Sequence, residues 1–206
     1  MTESPFLWVS LDRQTCLYYH PLMDTPPTSD PAERILAVAD RLFYEQGFAA
    51  TGVNQLIAEA SVAKASFYRH FPGKEDLVVA YLRHRLDGFV EGARQAVERH
   101  RSPRDGILAL FDFIDEWLRD TAYRGCAFQN AAAELPDSES SARRVVREAK
   151  GRQRELVAEL CRKAGCPAAS DEIFLLMEGA LSQAAITRAS WPVEAARRAA
   201  QRLLDS

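Results

Sequence analysis

The sequence predicts an all-α protein, with a compact three-helix unit ahead of a larger helical body. Three observations carry this prediction. Alanine, leucine, glutamate and arginine are abundant, and long β-branched runs are missing. Apolar residues recur at i, i+3, i+4 and i+7 along most of the chain. Capping acids, prolines and glycines fall where those periodic stretches begin and end.

Length and charge narrow the function classes. At 206 residues the chain can bury a sizeable core as one large or two small domains. The 26 basic and 29 acidic residues give a net charge of −3, which excludes a general charge-driven coating of nucleic acid but leaves room for a local basic face. Four cysteines are too few for a disulfide scaffold, and their spacing matches no zinc site, so a reducing cytoplasm is the expected setting and no metal or cofactor is expected. No run reaches 18 apolar residues, so no membrane span is predicted.

Residues 1–29 differ from the rest, with scattered aromatics and a Pro- and Thr-rich end. They read either as a short ordered arm or as the product of a start codon assigned too early, with Met23 opening the natural chain. The second reading is preferred, because no function can be read from the segment.

Regular structure begins at Asp30, an N-cap acid followed by Pro31 at the first helical position and Glu33 at the third. Ile35, Val38, Ala39, Leu42 and Phe43 then form one apolar stripe, and Gly47 ends the helix with Phe48 folding back on it. Thr51 or Gly52 caps a second helix that turns Val53, Leu56, Ile57 and Ala60 inward. Ser61-Val62 makes a tight turn into a third helix over 63–71, and Pro72 stops it. At about 100° per residue, Ala63, Phe67 and Phe71 share the apolar arc of that helix. Tyr68, Ala65, Arg69 and Ser66 share the opposite one, with Lys64 and His70 on the shoulders. Small residues let a backbone approach base edges, Arg can pair with guanine, and Lys, His and Tyr can reach phosphates. Two short helices joined by a three- to four-residue turn make a helix-turn-helix, so residues 30–76 are predicted to bind DNA.

Three pieces of this region carry a family likeness: Tyr44-Glu45-Gln46-Gly47-Phe48, Thr51-Gly52-Val53, and above all Lys64-Ala65-Ser66-Phe67-Tyr68-Arg69-His70-Phe71-Pro72-Gly73-Lys74-Glu75-Asp76-Leu77. Residues 30–76 resemble the DNA-binding domain of TetR/AcrR-type transcriptional regulators. The resemblance implies that Ala65, Ser66 and Arg69 face bases. It also implies that Lys64, Tyr68, His70, Lys74 and Asn54 meet the sugar-phosphate backbone of operator DNA. One departure is Ser61, which stands where the family usually has glycine. A positive φ there costs serine about 1 kcal/mol.

Residues 77–206 form the predicted effector-binding and dimerisation domain. Leu77 to His100 reads as one long helix with a stripe through Tyr81, Leu82, Arg85 and Phe89, and Ile107 to Leu118 as another. Cys126 to Pro136 is nearly all small and apolar, yet it holds Gln129, Asn130 and Glu134. Buried amides need partners, supplied by a ligand or by neighbouring helices. Phe111, Trp117, Tyr123, Cys126, Gln129, Asn130 and Met177 are therefore candidate residues for a partly apolar small-molecule pocket. The Gly-Cys-then-Asn-Ala pattern also resembles a subgroup in some of whose members the cysteine senses reactive species; an inert buried Cys126 is the preferred reading. Ser138 to Lys163 carries many Arg, Lys and Glu side chains and reads as a solvated face. Asp171 to Ala189 is apolar around most of its circumference, which points to a partner subunit. Leu176, Gly179, Ala180, Ala184, Ala199 and Leu203 are the candidate residues of a homodimer interface, by resemblance a four-helix one.

The leading function is a dimeric DNA-binding regulator, a repressor released by a small-molecule effector. A helix-turn-helix protein that binds DNA constitutively is the first alternative. A helical enzyme is the second and fares poorly, because no nucleophile, base and acid constellation or phosphate-binding glycine loop is present in the sequence.

Overall fold

The computed structural model describes residues 30–205. Residues 1–29, on which the arm and early-start readings fall, lie outside the described residues. The order of helices is α1 (Pro31–Gln46), α2 (Val53–Glu59), α3 (Lys64–His70), α4 (Lys74–Glu98), α5 (Pro103–Asp120), α6 (Ala127–Glu134), α7 (Ser141–Ala164), α8 (Ser170–Thr187) and α9 (Trp191–Asp205), with a 3₁₀ turn at Pro167–Ala169 before α8. No strand occurs among the described residues. The all-α prediction holds.

Caps set the helix ends much as expected. Asp30 accepts the Ala32 N–H at 2.9 Å, and Pro31 opens α1. Gly47 closes α1 with φ +88°, where a Cβ would lie 2.8 Å from the Glu134 carboxylate, so conformation and space both select glycine. Gly52 is the N-cap of α2. The Thr51 hydroxyl instead donates to the Gly47 carbonyl at 2.8 Å and folds the loop on itself. Helix α3 is shorter than the periodicity suggested: Ala63 is its N-cap, and Phe71, held extended ahead of Pro72, its C-cap.

Helices α1, α2 and α3 pack around Ile35, Leu42, Leu56 and Phe67, all fully buried. Ser61 in the turn has φ +52°. Its carbonyl accepts from Arg34 Nη2 at 3.3 Å, which ties the turn to α1. Relief of the left-handed strain outweighs the greater chain entropy of glycine in the unfolded state, so Ser61→Gly is expected to stabilise the chain by about 0.5–1 kcal/mol. A urea titration that shows no gain would mean that the serine is not strained there.

Helix α4 belongs to both halves. Its first turns pack on α1 and its length packs on α5, α6 and α7, so a single contiguous core runs through the molecule. Phe43, Phe48 and Tyr81 form an aromatic cluster with centroids 5.2–5.8 Å apart, joining the end of α1, its following loop and α4. Beneath it Arg85 of α4 pairs with Asp40 of α1: Nε lies 2.6 Å from Oδ1 and Nη2 2.8 Å from Oδ2. Arg85 sits on the apolar stripe read from the sequence, and the charge on that stripe is met by this buried carboxylate.

Candidate nucleic-acid interface

Helix α3 is held by one side and open on the other. Phe67 is fully buried, and its ring packs edge-on against Tyr68 at 5.3 Å and tilted against Phe71 at 6.2 Å. Lys64, Ala65, Tyr68 and Arg69 are exposed, while Ser66 and His70 are half-buried. Ser66 Oγ accepts from Arg69 Nη2 at 3.2 Å, which draws the guanidinium along the exposed face. Asn54, early in α2, is exposed as well. Lys74 opens α4 directly behind Gly73 and is half-buried. Among the described residues, no ion pair involves Lys64, Arg69 or Lys74. The amphipathic sorting read from the sequence therefore corresponds to one anchored face and one free, basic face.

Three hydrogen bonds connect this unit to α6 and the loop that leads into it. The Tyr44 hydroxyl donates to the Gly125 carbonyl at 2.8 Å in a buried site, and burial pushes that phenol up to about 12, so it stays a neutral donor. At the other end of α6, the Glu134 carboxylate accepts the Phe48 N–H at 2.7 Å and the Ala49 N–H at 3.4 Å. Glu134 is thus a tie across the seam, a role that a single sequence could not disclose.

In the body, α6, α7 and α8 meet at a polar cluster. Gln129 Nε2 donates to the Glu178 carbonyl and side chain, both at 3.2 Å. Lys150 Nζ lies 2.7 Å from Glu178 Oε1, 3.1 Å from Gln153 Oε1 and 3.4 Å from Cys126 Sγ. Burial presses the Lys150 ammonium down, but Cys126 and Glu178 together hold it above the ordinary lysine value. The charge run from Ser138 to Lys163 reads as a solvated face, and Lys150 departs from it. The missed signal is its place on the stripe Val146, Lys150, Gln153 and Val157, whose other members are buried. Asn130 donates to the Arg124 carbonyl at 3.3 Å, and Tyr123 shares a hydrogen bond with Ser190 at 2.9 Å. Phe111, Trp117, Cys126 and Met177 are buried in the core. Both amides singled out from the sequence are held by protein partners.

Two of the expected interface residues need correction. Ala180 and Ala184 are 4% and 0% exposed in a single chain, so they face their own core and offer a partner no surface. The open stripe of α8 is instead Leu175, Gly179, Ser182 and Ile186, and Trp191 at the start of α9 is exposed as well. Gly179 remains on that stripe, and Leu176, Ala199 and Leu203 are half-buried.

The family described as "Bacterial regulatory proteins, tetR family" matches residues 35–81, the unit just described together with the start of α4. Over almost the whole fold, the chain superposes on a TetR-family transcriptional regulator from Streptomyces coelicolor with a TM-score of 0.80. The two are 30% identical, over 87% of this chain and 96% of that one. The chain belongs to the TetR family of transcriptional regulators. This TetR-family chain is also 29% identical over 171 residues to the HTH-type transcriptional regulator LmrA of Bacillus subtilis, covering 80% of this chain and 91% of LmrA. It is 31% identical over 93 residues to the HTH-type transcriptional activator FasR of Mycolicibacterium smegmatis, a match that spans only 42% of FasR.

TetR regulators are DNA-binding proteins rather than enzymes, and they act as dimers with ligand binding in the C-terminal domain. The helical-enzyme alternative falls with that assignment. No helix among the described residues is long and apolar enough to cross a membrane.

Proposed function

We propose that this TetR-family regulator is a repressor that reads a near-palindromic operator with α3 and is released by a small molecule bound in its helical body. In this reading residues 30–76 form the DNA-binding domain and residues 77–206 the effector and dimerisation domain. Ala65, Ser66 and Arg69 face base edges. Lys64, Tyr68, His70, Lys74 and Asn54 hold phosphates, with the amides of the α4 N-terminus assisting Lys74. A two-fold dimer sets the two α3 helices in successive major grooves, about 34–36 Å apart. The observation that carries the reading is the free basic face of α3, with Phe67 fixing its opposite side.

The effector acts by binding one of two dimer states more tightly than the other. Phe111, Trp117, Tyr123, Cys126, Gln129, Asn130 and Met177 are the body residues proposed to receive it. The protein partners of Gln129 and Asn130 favour the constitutive alternative to the extent that those amides are already occupied. A thermal-shift screen of small apolar compounds separates the two, since a bound effector raises the melting temperature.

The interface is tested by operator titrations at several salt concentrations. Tyr68→Ala and Lys74→Ala are expected to weaken binding across sequences and to lower the salt slope by about one for the lysine. Arg69→Ala is expected to cost about 1–3 kcal/mol and to relax specificity at one base position. Unchanged affinity in all three would remove α3 as the reading helix.

A further inference from the structure

The C-terminal end of α7 brings two thiols together. Gly165, with φ +79°, turns the chain out of the helix. Two backbone bonds close that turn: the Gly165 N–H donates to the Arg162 carbonyl at 3.2 Å, and the Cys166 N–H to the Cys161 carbonyl at 2.9 Å. This nested pair is a Schellman cap, in which the side chains at the two outer positions often make an apolar contact. Here both outer positions are cysteine. The outer bond alone keeps their α-carbons within about 7 Å, the limit for a disulfide. The side chains meet as well, since the Cys161 thiol is hydrogen-bonded to that of Cys166. Both are free thiols.

Their surroundings decide what the pair can do. Cys161 is fully buried, and Cys166 is half-buried against the core, just ahead of the turn Pro167–Ala169. Among the described residues, no third Cys, His, Asp or Glu joins them in a metal-holding group, so a four-ligand zinc centre lacks its donors. A larger soft ion inserted into a packed site displaces its neighbours. A sulfur–sulfur bond adds no atom. Burial, and then the contact with Cys166, push the Cys161 thiol up to about 12, which disfavours its thiolate. A disulfide carries no charge, so the same burial does not penalise it.

We infer that Cys161 and Cys166 are a modification site, which exchanges with a low-molecular-weight disulfide to form an intrachain disulfide and so fastens the end of α7 to the turn entering α8. The half-buried Cys166 gives up its proton and attacks one sulfur of the small disulfide, whose S–S bond breaks. One small thiol leaves with that proton. Cys161 then gives up its proton and attacks Cys166 Sγ, and the second small thiol leaves with it. The protein loses two electrons and two protons, and the small disulfide is reduced to two thiols. Closure is fast relative to a second encounter, because Cys161 already touches the sulfur it attacks. Neither the DNA-facing residues nor the proposed effector residues take part.

The test treats the reduced full chain with oxidised glutathione at neutral pH, blocks remaining thiols under denaturing conditions, and maps tryptic peptides without reduction. Cleavage after Arg154, Arg162, Lys163 and Arg188 puts the two cysteines on separate peptides, 155–162 and 164–188. Most chains are expected to yield these two peptides disulfide-linked, and excess dithiothreitol should release them. Cys161→Ala should instead hold glutathione on Cys166, because the thiol that expels it is gone. Cys166→Ser should leave Cys161 unmodified in the folded chain, since Cys161 is shielded from solvent. In the oxidised wild type, the amides of Gly165, Cys166, Ala168 and Ala169 should exchange hydrogen at least about threefold more slowly. Linkage that forms only in urea, or glutathione that persists on Cys166 of the wild type, would overturn the disulfide. So would a Cys166 that stays unmodified in both the wild type and Cys161→Ala. Linked peptides with unchanged hydrogen exchange would overturn the fastening and leave the disulfide standing.

Discussion

An Asp40→Ala chain is expected to be less stable by about 3–5 kcal/mol, the usual cost of breaking one side of a buried ion pair. Asp40 and Arg85 are 4% and 5% exposed, and two contacts of 2.6 and 2.8 Å hold them together. Removal of the carboxylate leaves a guanidinium that cannot lose its proton and that water cannot reach. The Tyr44 and Tyr81 rings, with centroids 4.5 and 5.5 Å from the guanidinium carbon, give partial compensation only. At about 2–4 °C per kcal/mol for a chain of this size, the melting temperature should fall by roughly 6–20 °C. Asp40→Leu combined with Arg85→Met should recover most of the loss, because neither charge is then stranded. Urea unfolding of the single and double variants measures both numbers. A single-variant loss below about 1 kcal/mol would mean that solvent reaches the pair. The pair also bolts α1 to the rod that carries the body, so the single variant should show looser protection of α1 amides in hydrogen exchange.

Ile186→Glu is expected to yield folded monomers and, with them, operator binding weaker by at least about a hundredfold. Ile186 is 71% exposed and Leu175 66%, on one stripe of α8, and Trp191 at the start of α9 is 57% exposed. Large apolar side chains this open, set in a line, mark a surface meant for a partner. Two-fold symmetry places each substituted position in the interface twice, so two carboxylates enter apolar surroundings together. Two half-sites bound by independent monomers lose the linkage that a dimer supplies. Sedimentation at micromolar concentration, with circular dichroism to confirm retained helix, reads the result. A dimer that persists would exclude this stripe from the interface. Ala184→Glu makes the contrast: with 0% exposure, a carboxylate there is expected to unfold the protomer rather than separate two of them.

Much of the candidate interface was legible because its determinants are local. Asp30-Pro31, Gly47 and Pro72 announce ends that depend on a few neighbouring backbone groups. Phe67 and Tyr68 sort to opposite faces through helical periodicity alone. Even the strain at Ser61 followed from a serine in a turn that the family fills with glycine.

The body was harder because its determinants are distant. Periodicity tells which residues share a face, but a helix that is apolar nearly all round, as α8 is, does not reveal which face is covered. Ala184 and Ile186 read alike in sequence; packing of α8 against α9, α7 and α5 separates them. Lys150 looked like one more member of a solvated run until Glu178, 28 residues on, and Cys126 met it inside.

The sequence by itself determined an all-α chain, a helix-turn-helix with one anchored and one basic face, and the family to which it belongs. Each of these rests on residues close together in the chain. The tertiary structure alone decided that Asp40 neutralises Arg85 across 45 residues and that Glu134 ties the body to the loop after α1. Those features are matters of which helices meet. Helix meeting is set by the cooperative burial of many weak contacts, which no short stretch of sequence records.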